Sequence, residues 1–255
     1  TGLIILLAAT FVTALCAGQY SVSVPEVTKI LASRFVNVTK TWSNTAEGVV
    51  FTLRLPRIIG AVLVGSALSL SGAAYQGVFK NPLVAPDLLG VSSGACVGAS
   101  VAILLHLNSF GVQAMAFVAG ILAVGLTLFI PRLIKNTNMT MLVLSGIIVK
   151  GIMDSVMGII KYVADPETEL QSITYWQLGS LTKVLPKDLF TVGPVIVAAS
   201  VIIFLLRWRI NILSLGDREA KTLGVSVTVV RNFIIICATL LTASAVCISG
   251  TIGWI

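Results

Sequence analysis

Apolar residues run along this chain in long blocks, separated by the residues that end helices. The first block covers about residues 2–17 and closes at Gly18. The second begins after Pro56 and Arg57 and continues to about Gly77, where Asn81-Pro82-Leu83 and Pro86 interrupt it. Further blocks lie at about 88–107, 111–134, 139–164, 189–206 and 227–249. Each approaches the roughly 20 apolar residues that carry an α-helix through hydrocarbon. Strands would need short alternating segments, which the sequence lacks. In lipid every backbone N–H and C=O must find an internal partner, so the blocks predict helices. The expected fold is all-α: a polytopic transmembrane bundle of about seven to eight helices.

Composition agrees with the pattern. Of 255 residues, 56% are apolar and 11% charged, with a mean hydropathy of +1.01. Soluble domains carry about 25% charge, so this chain has too little polar surface to cover a water-soluble globule. The net charge of +7 comes without a basic cluster interleaved with aromatics, which argues against nucleic acid as a partner and for membrane lipid. Lysine and arginine divide about evenly between alternate loops, so charge leaves the orientation open. Cys16, Cys96, Cys237 and Cys247 lie far apart in apolar stretches and read as small core hydrophobes. The chain starts at Thr1 with no basic leader, so a cleaved signal peptide is not indicated.

Small residues suggest how the helices pack. Ala61, Gly65, Ser69, Ala73 and Gly77 recur every four residues, as do Gly90, Gly94, Gly98 and Ala102. Such stripes let helix backbones approach closely, which is the main source of association in lipid.

Little in the chain promises catalysis. One histidine, His106, cannot build a zinc site or a His-based triad. No Gly-Lys dipeptide occurs, so there is no phosphate-binding loop, and any ATP hydrolysis falls to another chain. Lys150 and Asp154 are the opposite charges deep in a block. Four residues apart, they share a helix face with Gly146 and Gly158 and can pair. Each charge costs about 2.5–3.5 kcal/mol at the bilayer centre, so the pair belongs on a wet pathway or at a helix interface. One alternative function follows from it: an ion-coupled secondary transporter using Lys150 and Asp154. A non-transporting scaffold is a third reading. The segment 213–225, LSLGDREAKTLGV, is a short amphipathic helix between membrane blocks. Leu215, Ala220 and Leu223 give it an apolar edge; Asp217, Arg218, Glu219 and Lys221 face water, and Gly216 and Gly224 bracket it. It is a surface cap or a knob for a partner's groove.

Three motifs resemble the FecCD-type permeases, the importer subunits for iron-siderophores, haem and cobalamin, the vitamin B12 permease among them. They are the block Leu53–Gly98 (LRLPRIIGAVLVGSALSLSGAAYQGVFKNPLVAPDLLGVSSGACVG), LSLGDREAKTLGV, and SGTIGWI from Ser249. GQYSVSVPEV from Gly18 and YWQLGSL from Tyr175 also fit. The resemblance implies a single permease domain over 1–255 in a bacterial or archaeal cytoplasmic (inner) membrane, crossing it many times. It implies a homodimer or a pair of similar subunits of about ten helices each, with the path at their interface. The chain is then not an enzyme and binds no cofactor of its own; ATP and Mg sit on partner ATPase subunits. A periplasmic or lipid-anchored binding protein delivers the cargo, and Arg54 and Arg57 meet its acidic residues. LSLGDREAKTLGV, with Leu215 to Leu223 and Gly224, is the cytoplasmic coupling helix that docks on the ATPase. Asn81 and Leu83 form a constriction, and Thr140 approaches a second one. The family continues for about three more helices beyond SGTIGWI, so the chain is expected to be C-terminally truncated.

Overall fold

A computed structural model describes residues 2–136 and 138–252. The described residues are helical, with no strand among them. The chain divides into two compact units, Thr1–Val62 with Leu181–Phe190, and Leu63–Ser180 with Thr191–Ile255.

The first unit opens with α1 (Gly2–Cys16), α2 (Val24–Ala32) and α3 (Asn44–Gly48). The polar connection after the first apolar block thus contains two short helices that hydropathy did not reveal. Ser43 caps α3 by accepting from the Ala46 N–H at 3.0 Å, the expected task of a serine at a helix start. A π-helical turn, Val49–Arg54, runs on into α4 (Leu55–Phe79), which enters the second unit. Leu15, Val22, Val27, Ile30, Trp42, Ala46 and Val50 form the core of the first unit.

The second unit carries α5 (Val91–Leu104), α6 (Ser109–Leu133), α7 (Met139–Val163), α8 (Glu169–Leu178), α10 (Arg207–Leu215), α11 (Asp217–Thr222) and α12 (Val227–Ser249); α9 (Pro186–Leu205) enters it from the first. Within it, α12 is the hub: 78% of its membrane-length window is buried, against 22% for α7. The outward face of α7 carries Leu144, Ile147, Ile148, Ile152 and Ile159, as a helix against lipid or another protein chain should. Tyr75 is fully buried, and its hydroxyl lies 3.1 Å from Thr239 Oγ1 on α12, which meets the need of a phenol in an apolar setting.

Helix bounds agree with the apolar blocks, but lengths qualify the count of crossings. Among the described residues, five helical stretches are long and apolar enough to span a membrane: Asn44–Phe79, α6, α7, α9 and α12. Helix α5, with 14 residues, reaches only about 21 Å at 1.5 Å per residue, short of the roughly 30 Å hydrocarbon layer.

One small-residue stripe is borne out and the other corrected. At Gly94 an added Cβ would sit 2.5 Å from Ala123 Cβ and 2.8 Å from Ala119 O, and Gly98 meets Ala119 and Met115 as closely. Helices α5 and α6 therefore touch backbone to backbone. On α4, by contrast, Ala61, Ser69 and Ala73 are exposed and Gly65 has nothing within 4 Å of where a Cβ would go. The buried face of α4 is Val64, Ala67, Ser71, Ala74, Tyr75 and Val78. Gly77, the last member of that stripe, does pack closely, since a Cβ there would meet Ile210 Cγ2 on α10 at 2.6 Å; periodicity of four marked the face but could not say that most of it points outward.

A Gly98→Val substitution should cost about 1–3 kcal/mol by forcing α5 from α6, whereas Gly65→Ala should be neutral. Thermal unfolding of the detergent-solubilised protein checks both.

Candidate functional site

Three groups of side chains in the second unit, and one pair of arginines in the first, carry the chemistry singled out by the sequence. The first group is the break between α4 and α5. Helix α4 ends at Lys80, whose φ of +53° is the left-handed cap position that glycine usually fills. Asn81 makes a side-chain turn, accepting from the Leu83 N–H at 2.9 Å, while Leu83 is 88% exposed. Asn81 is therefore the residue that shapes this turn, and Leu83 is the apolar group it presents. Thr140 is exposed in the first turn of α7.

The rest of the break is pinned between helices. Thr127 on α6 donates to Leu89 O at 3.0 Å, and Gly146 on α7 allows Leu88 O to lie against its Cα. Asp87 accepts from the Ser92 N–H at 2.8 Å, filling one of the amides left free where α5 begins. Its other carboxylate oxygen accepts from Lys150 Nζ at 3.3 Å. Lys150 stands near the midpoint of α7, a helix of 25 residues. The ion pair found here thus joins Lys150 to a residue 63 positions away, where the sequence reading looked one turn along to Asp154. Both Lys150 and Asp154 line a cavity of about 380 Å³, together with Asp87, Gln177, Thr242 and Thr251. Lys150 and Asp154 thus face one cavity, and Asp87 joins them there. Asp87 follows Pro86 in this loop, and no local spacing links it to Lys150.

At the floor of this unit two family-like motifs meet. Gly179 in YWQLGSL has φ +69°, and Gly250 in SGTIGWI has φ +70°. A Cβ on Gly250 would fall 2.7 Å from the Gly179 Cα, so this contact demands glycine. Ser180 N–H donates to Ser249 O at 2.6 Å, and Thr251 Oγ1 donates to Gln177 O. Gly253, Trp254 and Ile255 of that motif lie outside the described residues.

The segment 213–225 is not one helix. Helix α10 runs to Leu215, the chain extends at Gly216, and α11 occupies Asp217–Thr222. Gly224, at φ +76°, closes α11: its N–H donates to Lys221 O and that of Val225 to Ala220 O, each at 3.0 Å. This paired bonding is the common glycine stop of a helix. Ala220 is fully buried instead of lying on an outer edge, while Leu215 and Leu223 are 68% and 60% exposed. Arg218, Glu219 and Lys221 face water as expected. Asp217 does not simply face water. Both its carboxylate oxygens accept from Arg231 Nη2 at 2.9 Å, and Lys80 Nζ lies 3.0 Å away. The Arg231 guanidinium, and then Lys80, hold the Asp217 carboxyl below its usual range, against the opposing effect of burial.

In the first unit Arg54 is spent on backbone. Its Nη1 donates to Leu15 O at 2.7 Å and Cys16 O at 3.2 Å, and its Nη2 to Tyr20 O. A guanidinium at the carbonyl end of α1 satisfies groups that helix leaves open and complements its dipole. Gly18 leaves room for it, since a Cβ there would come within 3.2 Å of the guanidinium carbon. Arg57 is half-buried and makes no such ties among the described residues.

A profile of the FecCD transport family matches residues 6–255. The chain belongs to the FecCD transport family. The molybdate import system permease MolB of Haemophilus influenzae is 36% identical over all of this chain and 75% of its own length. The hemin transport system permease HmuU of Yersinia pestis is 35% identical over 80% of this chain and 62% of its own. A solved inward-facing metal-chelate type ABC transporter superposes with a TM-score of 0.87 at 34% identity, over 99% of this chain and 76% of that one. FecCD chains are permease subunits of ATP-binding-cassette importers. This chain is accordingly a multi-pass membrane transport component and not an enzyme, with ATP hydrolysis on a separate subunit. Such an assembly implies ATPase and substrate-binding partners. Family membership also favours ATP-driven import over the ion-coupled alternative built on Lys150 and Asp154.

Arg54→Ala should release the end of α1, exposing the 17–23 segment to protease and lowering the melting temperature. Arg57→Ala should leave both unchanged. Limited proteolysis with a thermal scan reads the difference.

Proposed function

We propose that this FecCD chain forms the membrane path of an importer for a metal chelate or a comparably small metal-bearing anion in a bacterial or archaeal inner membrane. Iron-siderophore, haem and cobalamin remain the cargo classes that the motifs support, and the molybdate permease relative adds an oxyanion to them. The observation that carries the reading is α11. It is a six-residue polar helix, set off from its neighbours by Gly216 and Gly224 and flanked by exposed Leu215 and Leu223. Apolar flanks on a charged, sharply stopped helix suit insertion into a cleft of a soluble partner. We assign that partner as the ATPase subunit, which places this end of the chain in the cytoplasm and ATP with Mg on the partner.

A periplasmic or lipid-anchored binding protein delivers the cargo. Arg57 is the better candidate for pairing with its carboxylates, because the donors of Arg54 are occupied by carbonyls. Asn81 and Leu83 act as one gate on the cytoplasmic side, and Thr140 lies at the approach to a second one. A second copy or a similar permease completes the path against the exposed face of α7. The closed ATPase pair pushes α11, and the gate turn opens or closes in response; no bond is made or broken in this chain.

The test is co-purification of the full-length permease with the ATPase encoded beside it. Scrambling Gly216–Lys221 should abolish the complex while the permease still folds and inserts. Unchanged association would overturn the docking assignment.

A further inference from the structure

The ATPase-docking helix and the gate turn are tied together by one carboxylate. Asp217, the first residue of α11, accepts from Arg231 on α12 through both oxygens at 2.9 Å and from Lys80 at 3.0 Å. Arg231 is 13% exposed at its side chain, so it holds Asp217 to a nearly buried point on the central helix. Lys80 is the last residue before Asn81, and its neighbour's side chain shapes the turn that presents Leu83. A shift of α11 therefore acts on two elements at once: the hub helix through Arg231, and the gate turn through Lys80.

The backbone at Lys80 fixes where the side chain starts and suggests the glycine variant. Its φ of +53° is a conformation in which a side chain is strained and glycine is at ease. Caps of this kind favour glycine, yet a lysine stands here with its ammonium on the carboxylate of the docking helix. His106 and Lys135 end their helices at φ +53° and +54° in the same way, so the conformation marks the helix end and the tie to Asp217 is what sets Lys80 apart.

We propose that Lys80 is a positioning residue for transport, coupling movement of the docking helix to the Asn81–Leu83 turn through Asp217. This rests on the docking role of α11 above, and it adds the element by which that motion reaches the gate. An exposed ion pair adds little to stability, so its function lies in direction: it makes the gate turn follow Asp217. The Arg231–Asp217 pair stays intact when Lys80 is changed, so no buried charge is left alone. That makes Lys80, and not Asp217 or Arg231, the residue to substitute.

The experiment reconstitutes the full-length permease with its ATPase in liposomes and measures ATP hydrolysis and cargo uptake together, using the chelate that the wild type transports. Lys80→Met and Lys80→Gly should both retain the ATPase complex and hydrolysis. Uptake per ATP should fall about five-fold or more, the lower end of typical inter-site coupling. Lys80→Gly should also match or exceed the wild-type melting temperature, since it relieves the backbone, which a merely structural lysine would not combine with lost coupling. Lys80→Arg should restore uptake. Wild-type uptake per ATP in both Lys80→Met and Lys80→Gly would overturn the proposal. So would loss of the ATPase complex in these variants, which would make Lys80 part of the docking surface. If the wild type itself bound no ATPase, the docking reading would fail first and this one with it.

Discussion

The structure depends on one constraint: a backbone N–H or C=O cannot be left open in hydrocarbon. Where helices run unbroken the constraint is met within each helix. Its consequences appear where they break. Between α4 and α5 the chain leaves helical bonding over residues 80–90, and side chains take up several of the groups freed there and at the start of α5. Thr127 serves Leu89 O, Asp87 serves Ser92 N–H, and Asn81 serves Leu83 N–H. At the end of α12 the freed Ser249 O is taken by Ser180 N–H.

Small residues are the second means of meeting the same constraint, because they bring one segment's backbone within reach of another's. Gly146 lets the 88–89 peptide lie against α7, and Gly179 with Gly250 lets the ends of α8 and α12 cross. Neither glycine contact is about flexibility. In both, the absence of a Cβ allows a hydrogen bond elsewhere in the junction: Thr127 to Leu89 O in one case, Ser180 to Ser249 O in the other.

Much of this was legible in the sequence, and the parts that were not share a cause. Apolar blocks located the long helices because lipid exposure makes hydropathy nearly a direct reading of membrane depth. Short helices α2 and α3 lay in polar sequence, where the 3.6-residue signal has too few turns to stand out. The small-residue face of α4 was visible, but not that most of it points outward, because the pattern is the same whether it packs within the chain or faces outward. Segment 213–225 showed its glycine brackets, but one of them, Gly216, turned out to divide two helices. Above all, sequence spacing finds partners one turn apart. Lys150 with Asp154 was visible; Asp87 lies 63 positions from Lys150, Lys80 137 from Asp217 and Arg231 14 from Asp217, and these pairings needed the fold.

Asp87 and Asp217 carry this last point furthest, because they do the same work at two places. Each lies at the entry to a helix that follows a break, α5 in one case and α11 in the other. Negative charge there is favoured by the helix dipole. Each then recruits a cation from a different long helix, Lys150 from α7 and Arg231 from α12. A break in a membrane helix would otherwise be a loose joint. A carboxylate at the restart, held from the side by a cation, makes it a joint with a fixed direction. Asp217 keeps its charge at neutral pH, since Arg231 lowers its pKa from an ordinary 3.8, so its ties would be lost only as pH falls below that range. A joint that is firm under working conditions, yet made of ionic contacts and not of packed core, can pivot without unfolding the helices on either side of it.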